Sequence, residues 1–342
     1  MEKTQQRETH ASLQRVFDTL CLTPLGALAI ALLLVLPFIP PFTQEYLRRW
    51  LTLAAFIAGQ AIAFDFSAGY ISVVNFGFAA FVGLGGYTSA LLVKHLGISP
   101  WMGLFFGAFS AAILGFFTGI LTLRLRGIFA LCLAWFVGLA VMGLALKMVW
   151  LTRGPLGLRC PVLFETASNL PYFYTIVTML LIAYFVMQRI ARSDIGLAFK
   201  AIGQSMEAAK TSGINPVRYR IFNFTVSCAF AGWMGGFYAH YLGILTPDLM
   251  DTGKTVEVLV ITYIGGRGSL WGGAFAAFPF FTALEMIRSS LSKLPGSNLI
   301  IYGLFLILVM IYYPGGVAQL YQGFFVKSKN RLLRWFTNRP TG

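Results

Sequence analysis

Residues 101–123 read WMGLFFGAFSAAILGFFTGILTL, an unbroken run without a charged side chain. A helix needs roughly 20 mostly apolar residues to cross the hydrocarbon core of a bilayer. Similar runs recur along the chain, separated by short basic or glycine- and proline-rich breaks. Runs such as 25–39 and 299–313 do not alternate between polar and apolar positions, which argues against a β-barrel. The pattern therefore predicts an all-α membrane protein built as a polytopic helical bundle.

The composition supports this class, because 57% of the residues are hydrophobic and only 11% are charged. A soluble globular domain carries about 25% charged residues. We expect about ten transmembrane segments, some of them interrupted, with ends uncertain by a few residues. Their approximate ranges are 24–43, 50–66, 70–93, 101–123, 127–150, 172–190, 221–245, 255–265, 270–287 and 298–313.

The net charge of +14 comes from basic residues scattered among short loops and the C-terminal tail, so it does not indicate a nucleic-acid partner. Alternating loops divide the 26 basic residues into groups of 17 and 9. The positive-inside rule then places both termini in the cytoplasm of a multi-pass inner-membrane protein. The predicted organisation is a cytoplasmic segment 1–23, a transmembrane domain 24–318 in contact with membrane lipid and with a cytoplasmic loop 191–220, and a basic cytoplasmic tail 319–342. Alternatively, the loop is only a solvated interfacial segment attracted to anionic lipid.

The sequence offers no support for catalysis, a cofactor or a metal site. It contains no phosphate-binding loop, no HExxH pattern and no G-x-S-x-G elbow. The three histidines lie far apart, and the four cysteines form no CxxC pair. We therefore expect a protein that is not an enzyme and does not hydrolyse ATP itself.

Two apolar segments are interrupted by glycine and small polar residues, one between 64 and 93 and one between 256 and 269. Interrupted helices in the two halves of a transporter indicate its substrate site, because they expose backbone groups. The polar and glycine residues beside these breaks are the predicted pathway residues: Asp65, Ser72, Asn75, Gly77, Glu257, Gly265 and Ser269. Alternatively, the glycines only allow close helix packing, and Asp65 and Glu257 cap or pin helices.

The stretch from Arg189 to Arg220 carries apolar residues at helical spacing with basic residues between them. This pattern predicts a short amphipathic helix in the cytoplasm. Asn215-Pro216 is expected to end the local structure.

Four motifs now bear on the family: NFGFAAFVGLGGYTSA at 75–90, LRLRGIF at 123–129, WLTRGPLGL at 150–158 and GGRGSLWGG at 265–273. Together with the 193–220 loop, they resemble, in order, the LivM-type permeases of branched-chain amino-acid importers. The resemblance covers nearly the whole chain from about 50 to 315. It also adds Tyr87, inside the first motif, to the predicted pathway residues.

The resemblance implies a permease subunit of an ATP-binding-cassette importer. Its partners would be a sister permease, two ATPase subunits and a periplasmic substrate-binding protein. The loop would dock on an ATPase through the coupling residues, which are Glu207, Ala208, Ala209 and Gly213.

The chain departs from the family at 132–138, where CLAWFVG lacks the usual polar groups. The substrate therefore stays open among branched-chain amino acids, urea, short amides and carboxylates. Two other functions stay open as well. An ion-coupled secondary transporter of small organic solutes would also use broken helices beside acidic residues, and a membrane-embedded enzyme would require a catalytic cluster.

Overall fold

The computed structural model describes residues 24–39, 44–122, 125, 128–166, 168–290 and scattered positions between 300 and 316. Within these residues the chain forms helices and one very short two-stranded sheet. The helices are α1 (Pro24–Val35), α2 (Glu45–Ala68), α3 (Phe78–Leu96), α4 (Pro100–Thr122), α5 (Ile128–Lys147), α6 (Val149–Thr152), α7 (Leu170–Arg192), α8 (Asp194–Gln204), α9 (Met206–Thr211), α10 (Pro216–Leu242), α11 (Thr252–Gly265) and α12 (Trp271–Ser290).

Four of the described helices, α2, α4, α5 and α7, are long and apolar enough to cross a membrane. The prediction of an all-α polytopic membrane fold is confirmed. The number of spans stays a prediction, as do the domain limits. Residues 1–23, the tail 319–342 and most of the predicted segment 298–313 lie outside the described residues.

Several helix starts differ from the sequence prediction by three residues or more, and two of them have a clear local cause. The segment predicted from 70 becomes helical only at Phe78, because a turn and an extended stretch hold the glycine and small polar residues before it. The sequence predicts a break at Asn215-Pro216, and the preceding helix α9 does end just before it, at Thr211. Asn215-Pro216 also begins the next helix: Asn215 caps α10, since its side-chain oxygen accepts a hydrogen bond from the Val217 amide at 3.1 Å, and Pro216 is the first helical residue.

Helix α2 lies at the centre of the bundle, and every residue from Ala54 to Ala68 is buried. It packs against α7, α10, α11 and α12. Side chains of α10 also bond to its backbone, because Asn223 Nδ2 donates to the Phe66 carbonyl at 2.7 Å and Ser227 Oγ donates to the Ala63 carbonyl at 2.6 Å. Protein therefore surrounds this helix where lipid would otherwise lie.

Helices α3, α4 and α10 pack closely through glycines. A Cβ atom on Gly232 would lie 2.7 Å from the Gly107 carbonyl oxygen, and one on Gly107 would lie 2.5 Å from the Gly85 carbonyl oxygen. Real Cβ atoms do not approach backbone so closely, so only glycine permits these helix separations. Small residues are how membrane helices gain van der Waals contact.

The bundle has two distinct ends. Helix α10, which is about 40 Å long at 1.5 Å per residue, runs from one end to the other. We call the end that carries α8 and α9 the loop-helix end. We call the other the strand end, because strand β1 (Leu158–Arg159) pairs antiparallel there with strand β2 (Ile244–Leu245).

Candidate transport site

Asp65 is completely buried near the end of α2. Its two carboxylate oxygens accept hydrogen bonds from the Gly268 amide at 2.7 Å and the Leu270 amide at 2.8 Å. The carboxylate therefore fixes the turn between α11 and α12 to α2. This geometry is the pinning arrangement that the sequence left as an alternative to substrate contact.

Ser72 lies in the 69–77 segment and is exposed, with a backbone φ of 62°. Its hydroxyl oxygen accepts a hydrogen bond from an Arg267 guanidinium nitrogen at 2.6 Å and donates one to the Gly203 carbonyl at 3.2 Å. The two broken segments therefore meet at the loop-helix end, in contact with α8. Their predicted role in lining the route stays a prediction.

Asn75 and Gly77 shape the start of α3. The buried Asn75 side chain accepts a hydrogen bond from the Gly77 amide at 3.0 Å and lies 3.9 Å from the Cys228 sulfur. A Cβ on Gly77 would collide with the Ala134 carbonyl of α5. In this structure both residues hold α3 against α5 and α10.

Gly265 and Ser269 organise the turn between α11 and α12. A Cβ on Gly265 would collide with the backbone of Gly272 and Gly273, so the two helices touch at this point. Ser269 Oγ donates to the Gly266 carbonyl at 2.6 Å and accepts from the Gly272 amide at 3.1 Å. These bonds close the turn on itself.

Tyr87 is separate from the other predicted pathway residues. It is buried, and its hydroxyl donates to the Leu245 carbonyl of strand β2 at 3.3 Å, at the strand end. The structure therefore gathers Asp65, Ser72, Gly265 and Ser269 in one cluster and leaves Tyr87 outside it.

The first turn of helix α11 contacts α3 and α5 inside the bundle. Trp135 Nε1 donates to Thr252 Oγ1 at 2.9 Å, and Thr255 Oγ1 accepts from the Ala79 amide at 3.0 Å. Trp135 lies about 10 Å along α5 from Ile128 and about 18 Å from Lys147, at 1.5 Å per residue. The first turn of α11 therefore lies at membrane depth.

The residues around this helix start are polar and reach the surface of the chain. Asp251 caps α11 by accepting from the Gly253 amide at 3.1 Å. Asp248, Asp251 and Lys254 are exposed, and Trp135 and Thr252 are half-buried. We call these five residues the polar face.

Glu257 lies one turn further along α11 and is only 4% exposed. Its carboxylate forms an ion pair with Lys254 Nζ at 3.0 Å, and the Lys254 side chain is 45% exposed. The buried Glu257 carboxylate therefore balances the positive charge of Lys254 from the inner side of the polar face.

One cavity in the described part of the chain is apolar. A cavity of about 310 Å³ lies between α1, α2, α7 and α12. Its walls suit hydrocarbon better than a small polar solute. The lining residues are Ile30, Leu32, Leu33, Leu36, Ile62, Leu180, Leu181, Tyr184, Trp271, Ala274, Phe275, Phe278 and Pro279.

The predicted coupling residues lie on α9 and the turn after it. Glu207 and Ala208 are exposed, whereas Ala209 is 3% exposed and packs inward. Gly213 has a φ of +81°, in the left-handed region that favours glycine. The predicted amphipathic helix is in fact two helices, α8 and α9, which meet at Ser205.

A family model described as "Branched-chain amino acid transport system / permease component" matches residues 46–311. The chain belongs to this family. The resemblance read from the four sequence motifs is thereby confirmed. This permease chain is a multi-pass membrane protein of a transport family.

The permease is similar to the high-affinity branched-chain amino acid transport system permease protein LivM of Escherichia coli K12, with 29% identity over 280 residues. The aligned part covers 74% of this chain and 65% of that LivM. The LivM of Salmonella typhimurium LT2 is 27% identical with the same coverage. The chain thus spans about 65% of the length of these LivM proteins.

The fructose import permease protein FrcC of Rhizobium meliloti is also similar to the permease, at 23% identity over 273 residues. That alignment covers 74% of this chain and 72% of FrcC. No solved structure matches the chain.

Sequence reasoning missed most of the polar face. A signal was present, since aspartate is a preferred helix cap and Asp251 lies five residues before the apolar run that starts at Val256, which is consistent with a helix start at Thr252. The depth of that start had no local signal, because it depends on contacts with α3 and α5. Arg267 was counted only as a basic loop residue, although it bonds to two other segments of the permease.

Proposed function

We propose that this chain is the permease subunit of an ATP-binding-cassette importer for branched-chain amino acids or a related small polar solute. Separate ATPase subunits drive it, and a sister permease, two such ATPases and a periplasmic binding protein complete the importer. The chain lies in the inner membrane with both termini and the loop-helix end in the cytoplasm. Family membership and the names of the similar LivM and FrcC proteins support this proposal.

The single observation that carries the proposal is the polar face at membrane depth. A charged side chain at the centre of a bilayer costs at least about 2.5–3.5 kcal/mol on insertion scales. Asp248, Asp251 and Lys254 are exposed on the surface of the chain at that depth. They would not be stable against lipid, so the face is one wall of a wet route that the sister permease completes.

The chemistry of this wall suits a small solute with a carboxylate and an ammonium group. The first turn of α11 places the positive end of a helix dipole at the polar face, where Asp251 accepts from the Gly253 amide, and the Lys254 ammonium group lies beside it in its ion pair with Glu257. The two nearby aspartates supply acceptors for an ammonium group. Exposed groups of both signs bind weakly, which allows a delivered solute to leave again.

The coupling residues are proposed to dock on an ATPase subunit. Glu207 and Ala208 offer an exposed, short and narrow helix that fits a groove. Ala209 packs inward, so its contribution is to hold α9 in place. Gly213 supplies the left-handed turn that leads into α10.

Uptake assays test the function. The chain is expressed with the partner subunits encoded beside it, in cells that lack their own branched-chain uptake, and radiolabelled leucine and fructose are supplied. We expect leucine uptake that stops when the catalytic carboxylate of the ATPase is replaced and that persists when an ionophore dissipates ion gradients. Uptake that survives the ATPase substitution but fails with the ionophore would identify an ion-coupled transporter instead.

A further inference from the structure

Helix α8 packs directly on the 69–77 segment. A Cβ on Gly203 would collide with the Tyr70 carbonyl oxygen, and Lys200 Nζ lies 5.7 Å from the centre of the Tyr70 ring. Ser72 adds a hydrogen bond to the Gly203 carbonyl. This close contact means that a displacement of α8 also displaces the 69–77 segment.

Arg267 connects that segment to the turn between α11 and α12. Its Nε donates to the Ala68 carbonyl at 2.9 Å, and a terminal guanidinium nitrogen donates to Ser72 Oγ at 2.6 Å. Ser72 then donates onward to Gly203, so a chain of hydrogen bonds runs from the guanidinium through the hydroxyl to α8. Each bond in such a chain polarises the next one.

The backbone of Ser72 is consistent with a constrained role. Its φ of 62° lies in the left-handed region, which residues other than glycine adopt rarely and keep only when surrounding contacts hold them there. The two hydrogen bonds of its hydroxyl supply such contacts. In a simple surface loop, glycine or asparagine would occupy this conformation without strain.

The turn that holds Arg267 is rigidly joined to α11. The Gly266 amide bonds to the Thr262 carbonyl at 3.1 Å, and the Ser269 hydroxyl bonds back to the Gly266 carbonyl. Asp65 holds the same turn on α2. A displacement of Arg267 therefore also displaces the C-terminal end of α11, whereas the polar face lies at the N-terminal end of the same helix.

We propose that the Ser72–Arg267 bridge is the mechanical link through which α8 moves α11. Arg267 and Ser72 act as positioning residues: they touch no solute, and they make the polar face respond to the ATPase. This inference rests on the proposed function, because it requires an ATPase docked at α9.

The test measures hydrogen–deuterium exchange in the full chain assembled with its ATPase subunits in lipid nanodiscs. Exchange is compared without nucleotide and with a non-hydrolysable ATP analogue. Peptides that cover 194–204 report on α8, and peptides that cover 252–270 report on α11 and its turn. Ser72→Ala and Arg267→Met each break the bridge at a different member, and Lys200→Met is the matched control, because it alters the contact between α8 and Tyr70 without touching the bridge.

In the unaltered complex the nucleotide should change exchange in both segments. In Ser72→Ala and Arg267→Met the response of α8 should persist, while that of 252–270 falls about fivefold or more, the lower range of typical coupling between sites. Lys200→Met should keep both responses. In Arg267→Lys, whose side chain can reach only one of the two acceptors, the response of 252–270 should lie between those of the unaltered complex and Arg267→Met.

Several results would overturn the link. A full response of 252–270 in Ser72→Ala, or an equal loss in Lys200→Met, would show that the bridge only anchors the turn. If nucleotide changed no exchange in α11 of the unaltered complex, the proposed link between α8 and α11 would also be wrong. If α8 itself did not respond to nucleotide, the proposed ATPase coupling would fail and the link with it, which separates the two failures.

Discussion

Replacing Asp65 with alanine should strongly destabilise the fold. The carboxylate is fully buried and bonds to the Gly268 and Leu270 amides at 2.7 and 2.8 Å. Leaving the buried Leu270 N–H unpaired costs about 1–3 kcal/mol, and losing the acceptor of the half-buried Gly268 N–H adds about 0.5–1.5 kcal/mol, so the expected loss is about 1.5–4.5 kcal/mol. Asparagine keeps one acceptor oxygen, and the expected loss is then about 1–3 kcal/mol.

The assay is unfolding of the purified chain in lipid micelles by a denaturing detergent, followed by tryptophan fluorescence. Ser67→Ala is the matched control on the same helix, because that buried hydroxyl bonds only to the Phe64 carbonyl one turn back, at 3.1 Å. It should cost under about 1 kcal/mol. If Asp65→Ala unfolded within about 0.5 kcal/mol of this control, the pinning role would be wrong, and a selective loss of uptake in that stable variant would return Asp65 to the substrate pathway.

Three further predictions follow from the packing, the polar face and the orientation. Gly235→Ala should destabilise the chain by about 1–3 kcal/mol in the same unfolding assay, because a Cβ there would collide with a backbone carbonyl of α3. Gly143→Ala is the control and should not lower the free energy of unfolding, because a Cβ on Gly143 would meet nothing within 4 Å. Equal losses of stability in the two variants would refute the packing argument. Trp135→Phe removes the bond to Thr252, worth about 0.5–1.5 kcal/mol, and should slow leucine uptake about 2- to 10-fold at unchanged membrane abundance, while an unchanged rate would remove Trp135 from the route. A cysteine at Ser205 should react with an impermeant thiol reagent only in permeabilised cells, and labelling of intact cells would reverse the orientation.

The sequence predicted the uninterrupted helices well. The run at 101–123 begins one residue after α4 does, because Pro100 suits the first position of a helix. Residue 123 lies outside the described residues. Length and apolar composition are enough for such a helix, since in lipid its backbone bonds are all internal.

The interior of the site was harder to predict, because its contacts join distant parts of the chain. Asp65 and Leu270 are 205 residues apart, and no local pattern marks either as the partner of the other. The sequence did identify the two broken segments, and these meet through Ser72 and Arg267. The sequence did not show how deep in the bundle α11 begins. Only the structure places its first turn beside Trp135 and brings the three charged residues of the polar face to that level.

The central position of α2 has a consequence for how the protein is made. A ribosome adds roughly 5–20 residues per second, so about 10–40 s pass between the synthesis of Asp65 and that of its partner 205 positions later. During that interval the carboxyl group stands in a nascent helix whose later neighbours α7, α10, α11 and α12 do not yet exist. The Asp65 carboxylate therefore gains its two hydrogen-bond donors only after Leu270 has been made, so the turn between α11 and α12 fixes the end of α2 late in synthesis.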